Sequence, residues 1–329
     1  MRNSFSRDQI EHFLKFPKED LPELHQASKE DDLIIFLGAG VAKLYGCFLW
    51  VEMAKELAKK LRENKIISYS EENILYMEAE NDPRKVISIC YSLYSKDAVK
   101  MSIYKKTIKE TINLKNEETN NLKEIYGKIF SLNPKVYLTT NIDLGIQYYS
   151  SLCTNPNQRI YNCTLPSDKE VIEQIDYKIF KDSNIIYLHG NEEYLENSIL
   201  TVESYLEYYS NRKFLEGIYF NIDNGFIIFI GYGLKEWDII ERIYKIYKSN
   251  RKSSKKEFTG LILTPIFSYE IVKFTLEQEY YKSFGVRSIP YLIDDNGHKE
   301  LLRVLTNLKN ALDISRKQSY DVFKEIEET

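Results

Sequence analysis

Five short apolar runs punctuate the chain: Leu33–Leu37, Lys135–Thr139, Asn184–Leu188, Gly225–Ile230 and Gly260–Thr264. None alternates with polar residues, and this suits strands of a parallel sheet covered on both faces. Each run ends in a polar or glycine-bearing loop, in order GAG, TTNID, HGN, GYGLKEWD and TP. Between the first two runs the period changes. WVEMAKELAKKL, EENILYMEAE, PRKVISICYSLYS, MSIYKKTIKETI and NLKEIYGKIF place apolar residues three and four apart, the spacing of one helix face. Pro83, after Asn81 and Asp82, sits where a helix start tolerates it.

The ends of the chain are also helical in period. Ile10, Phe13, Leu14, Leu21 and Leu24 predict one or two short helices ahead of the first strand, and LLRVLTNLKNALDI and YDVFKEIEE predict closing helices. Strands alternating with helices imply an α/β fold, a Rossmann-like doubly wound parallel sheet. The expected division is an N-terminal helical arm over 1–30, a sheet domain over 31–50 and 133–310, a helical insertion over 51–132, and a C-terminal helix over 311–329. In open α/β sheets ligands bind beyond the carboxyl ends of the strands, where all the suggestive loops lie.

Composition narrows the function classes. The 329 residues carry 45 Lys and Arg against 49 Asp and Glu, a balance that argues against a surface given over to nucleic acid. Seven basic residues fall between Arg242 and Lys256, but a solvated helix end accounts for them, and no direct nucleic-acid binding is expected. The densest apolar run, Phe226–Ile230, is of strand length, so no membrane span or secretory leader is expected and the chain reads as cytoplasmic. Cys47, Cys90, Cys153 and Cys163 are scattered without a CxxC pair, which disfavours a disulfide framework or a zinc module.

Four loops carry candidate chemistry. Gly38-Ala39-Gly40 follows a buried strand, where backbone amides and a helix start can meet a pyrophosphate, or where a tight turn needs glycine and nothing more. The GxGxxG pattern of hydride-transfer enzymes is broken by Lys43. Thr139-Thr140-Asn141-Ile142-Asp143 projects a carboxamide and a carboxylate past a strand, as ligand groups or as a helix cap. His189, in Tyr187-Leu188-His189-Gly190, is a candidate general base or a satisfied structural histidine; His12, His25 and His298 read as surface positions. Gly231-Tyr232-Gly233-Leu234, with Asp238 after it, suits a ribose or phosphate, or a plain connection.

Taken in order, these loops resemble the landmarks of the sirtuin superfamily, and more closely those of the bacterial sirtuin-like NAD-cleaving effectors of anti-phage systems. Those effectors show GAG-x-S, G-x-P-x-W, TTN-x-D, LHG, T-x-x-x-Y and GYS-L-x-D. The counterparts here are Gly38–Val41, Gly46–Trp50, Thr139–Asp143, Leu188–Gly190, Thr201–Tyr205 and Gly231–Leu234 with Asp238. The chain departs from the pattern at Ala42 for serine, Phe48 for proline and Gly233 for serine.

The resemblance implies an NAD+ glycohydrolase that uses NAD+ as substrate and no metal. Asn141 would orient water or a ribose hydroxyl, and His189 would be the base. Asp143 would hold the nicotinamide carboxamide. Gly38, Ala39 and Gly40 would cradle the pyrophosphate, with Thr140 beside them, and Gly231, Tyr232 and Gly233 the adenosine side. Trp50 would line the pocket or serve as core. The resemblance also implies an effector gated by assembly or by a separate sensor, such as a ring-forming HerA-type ATPase or an Argonaute. A homo-oligomer is expected from the short amphipathic segments around Ile10–Leu24 and Tyr320–Ile326, which would close over a neighbouring copy or else pack on their own chain. The alternatives are an NAD or ADP-ribose sensor or scaffold without turnover, and an NAD-dependent protein deacylase, whose zinc module is missing from this sequence.

Overall fold

The computed structural model describes residues 6–113, 118–153, 155–173, 179–210, 218, 222, 225–253 and 257–327. Seven strands, β1 (Leu33–Leu37), β2 (Val136–Thr139), β3 (Ile160–Asn162), β4 (Asn184–Tyr187), β5 (Phe226–Ile230), β6 (Gly260–Ile266) and β7 (Val286–Leu292), form one sheet in the order β3-β4-β2-β1-β5-β6-β7. Every pairing is parallel. The sheet is central because β1 is apolar on both faces. Leu33, Ile35 and Leu37 enter one core, while Ile34 and Phe36 enter the other. The expected Rossmann-like α/β fold is thus present. From β1 the chain goes to one side for β2, β3 and β4, then crosses to the other side for β5, which places a topological switch at β1.

Two strands escape the run-based reading. Strand β3 is three residues long at one edge, too short for a period to register. Strand β7, VRSIPYL, is interrupted by Arg287 and Pro290; proline is tolerated because β7 forms the other edge.

Helices α1 (Arg7–Phe13) and α2 (Pro22–Lys29) precede the sheet, and α3 (Ala39–Lys43) follows β1. Then come α4 (Trp50–Glu63), α5 (Tyr69–Asn81), α6 (Pro83–Tyr94), α7 (Ala98–Ile112) and α8 (Thr119–Phe130). The apolar faces of α4 to α7 close on one another through Met53, Leu57, Leu61, Ile87, Tyr94 and Ile108. The same cluster takes in Ile142, Leu195 and Leu200 from the loops after β2 and β4, so these helices sit over the carboxyl edge of the sheet. Helix α8 behaves differently: Leu122, Ile125, Tyr126 and Ile129 join the core on one sheet face. The remaining helices are α9 (Gly145–Leu152), α10 (Pro166–Glu173), α11 (Val202–Ser210), α12 (Trp237–Ser253), α13 (Ile271–Lys282) and α14 (Leu301–Glu327).

The N-terminal arm packs against the sheet. Ile10, Leu14, Phe16, Leu21 and Leu24 are buried in the same core as β1, and α2 lies against α14. His25 corrects the reading of a surface position. It is buried, its Nε2 lies 2.8 Å from the Phe16 carbonyl oxygen, and its Nδ1 meets the Ser315 hydroxyl. His12 and His298 are exposed.

Candidate active site

The glycines after β1 and β5 meet each other. The Gly38 amide donates to the Ile230 carbonyl at 3.0 Å, and the Gly40 amide to the Gly231 carbonyl at 2.9 Å. A Cβ on Gly38 would lie 2.4 Å from the Gly231 oxygen; one on Gly231, whose φ is +64°, would lie 2.5 Å from the Val41 nitrogen. Loop-on-loop packing therefore accounts for Gly38, Gly40 and Gly231. Two of the amides read as a pyrophosphate cradle are engaged by backbone carbonyls of the β5 end. Gly233 is exposed, with nothing nearer to a Cβ than Lys235 at 3.9 Å. The Tyr232 ring packs on Phe36 and Phe229, at centroid separations of 4.6 and 5.9 Å.

Past β2 the chain holds its polar groups tightly. Thr139 Oγ1 donates to the Leu37 carbonyl at 3.1 Å and accepts the Asn141 amide at 3.0 Å, while Thr140 is buried beside them. Asn141 Nδ2 donates to the Gly38 carbonyl at 3.1 Å, tying this loop to the one after β1. Its Oδ1 is buried and has no partner. Asp143 Oδ1 accepts the Tyr45 hydroxyl at 2.5 Å and the Gly145 amide at 2.9 Å; Tyr126 stands behind Tyr45 at 3.0 Å. The bond to Gly145 tethers the start of α9, so Asp143 performs part of the capping role open from sequence. Burial raises the Asp143 carboxyl above its ordinary range, and the Tyr45 and Gly145 hydrogen bonds oppose that shift. Asn141 and Asp143 open onto a cleft whose other walls include Ala39, Ala42, Phe48 and Trp50. Trp50, at the head of α4, is thus both half-buried packing and pocket wall.

His189 stands two residues past β4, as Asn141 stands two past β2, and these strands pair with Thr139 opposite Tyr187. Its side chain is wholly buried. The rings of Tyr205, Tyr208 and Tyr209 on α11 surround it edge-on, at 6.2, 6.1 and 6.0 Å. Nε2 lies 3.0 Å from the Tyr209 hydroxyl and 3.7 Å from Glu236 Oε2, whereas Nδ1 is buried with no partner. Burial pushes the imidazole pKa below its ordinary 6.5, Glu236 opposing that shift and Arg84 adding to it. The ring is therefore neutral at neutral pH, the form in which a histidine can accept a proton.

Two charged residues around it, Arg84 and Glu236, were missed from sequence. Glu236 accepts Tyr209 Oη at 3.3 Å and meets Arg84 at 3.4 Å, Arg84 lies 3.9 Å from the centre of the Tyr205 ring, and Tyr205 donates to Asp238 at 2.7 Å. Asp238 and Tyr205 fall in quoted motifs. Arg84 and Glu236 carry no local signal, because a charge beside a helix start reads as a solvated position.

Residues 135–284 match the model of the SIR2-like domain. The match spans Asn141, Asp143, His189, Gly231–Gly233 and Glu236, and begins after the Gly38–Gly40 loop and the helices over the site. No match to a curated protein was found. Among the described residues there is no cluster of histidine, cysteine or carboxylate side chains able to hold a metal, and no helix long and apolar enough to cross a membrane. Asn141 Oδ1 and His189 Nδ1, both buried and without partners, thus follow neighbouring strands. With that geometry, the SIR2-like match over 135–284 supports placement in the sirtuin-like superfamily and an NAD-related activity in general.

Proposed function

We propose that the chain is an NAD+ glycohydrolase, cleaving NAD+ to nicotinamide and ADP-ribose. The observation that carries the reading is the pair of orphaned buried atoms, Asn141 Oδ1 and His189 Nδ1, at the ends of adjacent strands. A buried polar atom left unpaired costs about 1–3 kcal/mol, and a substrate hydroxyl or water would relieve it. Such a cost is characteristic of a site that keeps its hydrogen bonds for a ligand.

The reaction breaks the C1′–N bond, and the electron pair leaves with nicotinamide as a neutral molecule. The ribose becomes oxocarbenium-like, water adds at C1′, and its proton must be taken up, as in glycoside cleavage. His189, neutral and with Nδ1 unengaged, is the acceptor for that proton, from water directly or through a ribose hydroxyl. Asn141, locked by its bond to Gly38, presents Oδ1 to orient the attacking group. Asp143 lies on the same cleft and would take the nicotinamide carboxamide. Its remaining capacity is limited, since Oδ1 already accepts two hydrogen bonds. The pyrophosphate would meet the Ala39 side of the loop, because Gly38 and Gly40 donate elsewhere.

We further propose an NAD-depleting role in anti-phage defence, gated by self-association or by a partner. The motif order supports it, and so does the burial of His189, since unrestrained NAD+ cleavage would harm the cell that makes it. Incubating the purified full-length chain with NAD+ tests the chemistry. Nicotinamide and ADP-ribose should accumulate together without any acylated peptide. Asn141→Ala and His189→Gln should each reduce turnover by ~10²–10⁴ while retaining wild-type circular dichroism. Nicotinamide release only on addition of an acetyl-lysine peptide would establish a deacylase instead. Tight NAD+ binding without products would establish a sensor.

A further inference from the structure

We propose that Glu236 is a positioning residue for His189, acting through the Tyr209 hydroxyl, and that Arg84 on the helices over the site sets how strongly it acts. The inference rests on the glycohydrolase reading only for its kinetic consequence. The hydrogen-bond relay stands on geometry alone.

Tyr209 has one proton to give, and Glu236 Oε2 takes it at 3.3 Å. A carboxylate can only accept, so at its other contact Tyr209 Oη must accept, and the 3.0 Å bond to His189 then needs a proton on Nε2. The relay Nε2–H to Tyr209 to Glu236 selects one tautomer and leaves the Nδ1 lone pair as the base. The atom without a partner in the structure is that same Nδ1. The carboxylate, 3.7 Å from Nε2, also stabilises the imidazolium formed when Nδ1 takes up a proton.

Arg84 competes for the same carboxylate. It is the second residue of α6, placed by Pro83 and by the Asp82 side chain, which accepts the Lys85 amide at 3.0 Å. Its guanidinium reaches Glu236 Oε1 at 3.4 Å while lying on the Tyr205 ring. A second tie joins α6 to α11, from the Val202 amide to Ser88 Oγ at 2.8 Å. The groups facing the imidazole are Tyr205, Tyr208 and Tyr209 from α11, Glu236 ahead of α12 and Arg84 from α6, with Asp238 behind Tyr205. Glu236 and Arg84 are the charges among them that act on the ring in opposite senses.

The test is nitrogen NMR of the four imidazoles in the full-length chain, with His189→Gln identifying the His189 signals. The wild type should show a neutral ring protonated at Nε2. Glu236→Gln should lower the His189 pKa, Arg84→Gln should raise it, and Tyr209→Phe should mix the tautomers. Where turnover is present, the acid limb of kcat/KM should move to lower pH in Glu236→Gln and to higher pH in Arg84→Gln. Loss of packing alone would not move it in opposite directions. Arg84→Lys keeps the charge and should restore the wild-type limb. A ring protonated at Nδ1, or a His189 pKa unmoved by both charge-removing variants, overturns the proposal. Absence of both NAD+ binding and NAD+ cleavage in the wild type would defeat the glycohydrolase reading and leave the NMR result to decide this one.

Discussion

His189 and His25 are buried for different ends, and their burial bears on stability. Both are held below the ordinary histidine value, chiefly by burial. Between that ordinary value, about 6.5, and their lower native values the unfolded chain binds more protons, so stability rises with pH there. Acidification below neutrality should therefore remove stability. Asp143 has the opposite sign at lower pH: its native carboxyl keeps a proton that the unfolded one has lost, so stability falls as pH rises through that region. Urea midpoints should be lower at about pH 5.5 than at pH 7, with much of the difference absent from the His25→Gln, His189→Gln double variant. An unchanged pH slope in that variant would assign the effect elsewhere. At this scale sequence was informative about identity and poor on environment. Asn141, Asp143 and His189 were legible because each polar type follows an apolar strand. His25 was misplaced because its partners, Phe16 and Ser315, come from a turn and a distant helix.

Among the elements, the contact between the loops after β1 and β5 makes the clearest demand on residue type. Gly231→Ala forces a side chain into left-handed backbone and against the Val41 nitrogen, and should cost about 2–4 kcal/mol. Gly233→Ala has open space and should stay within about 0.5 kcal/mol. Urea unfolding of the two variants tests the assignment; equal stability would mean that the close approach is not needed. The same contact explains a limit of motif reading, since a glycine turn after a strand looks alike whether it receives a phosphate or another loop. Strands β1, β2, β4, β5 and β6 were legible because most of their residues are apolar and buried on both faces. Strands β3 and β7 were not, because edge strands can carry short runs, charge and proline.

For the whole molecule, the N-terminal arm bears on association. The segment around Ile10–Leu24 was expected to close over a second copy or to pack on its own chain, and Ile10, Leu14, Phe16, Leu21 and Leu24 are all at most 2% exposed within their own chain. At about 1.5–3 kcal/mol for each buried side chain, their loss rivals a typical domain's total stability of about 5–15 kcal/mol. Deleting 1–30 should thus give an aggregated or unfolded product. A folded, monodisperse deletion by light scattering would return the arm to the role of an association device. Oligomerisation remains our proposal on the grounds of gating, no longer on the arm.

The position of β1 at the middle of the sheet also governs when the site can exist. Ile34 pairs on one side with Val136 and on the other with Ile227. During synthesis from the N-terminus, the first strand must wait for both neighbours, and the second arrives only after most of the chain has left the ribosome. Helices α4 to α7, whose contacts are local, can close on one another long before. Asn141 and His189 would then be waiting for a floor, because the Gly38 amide has its partner, the Ile230 carbonyl, only once β5 is in place. A nascent or truncated product ending before Phe226 would carry Asn141 and His189 on one side of β1 and nothing on the other, so the centre we propose could assemble only once β5 is made.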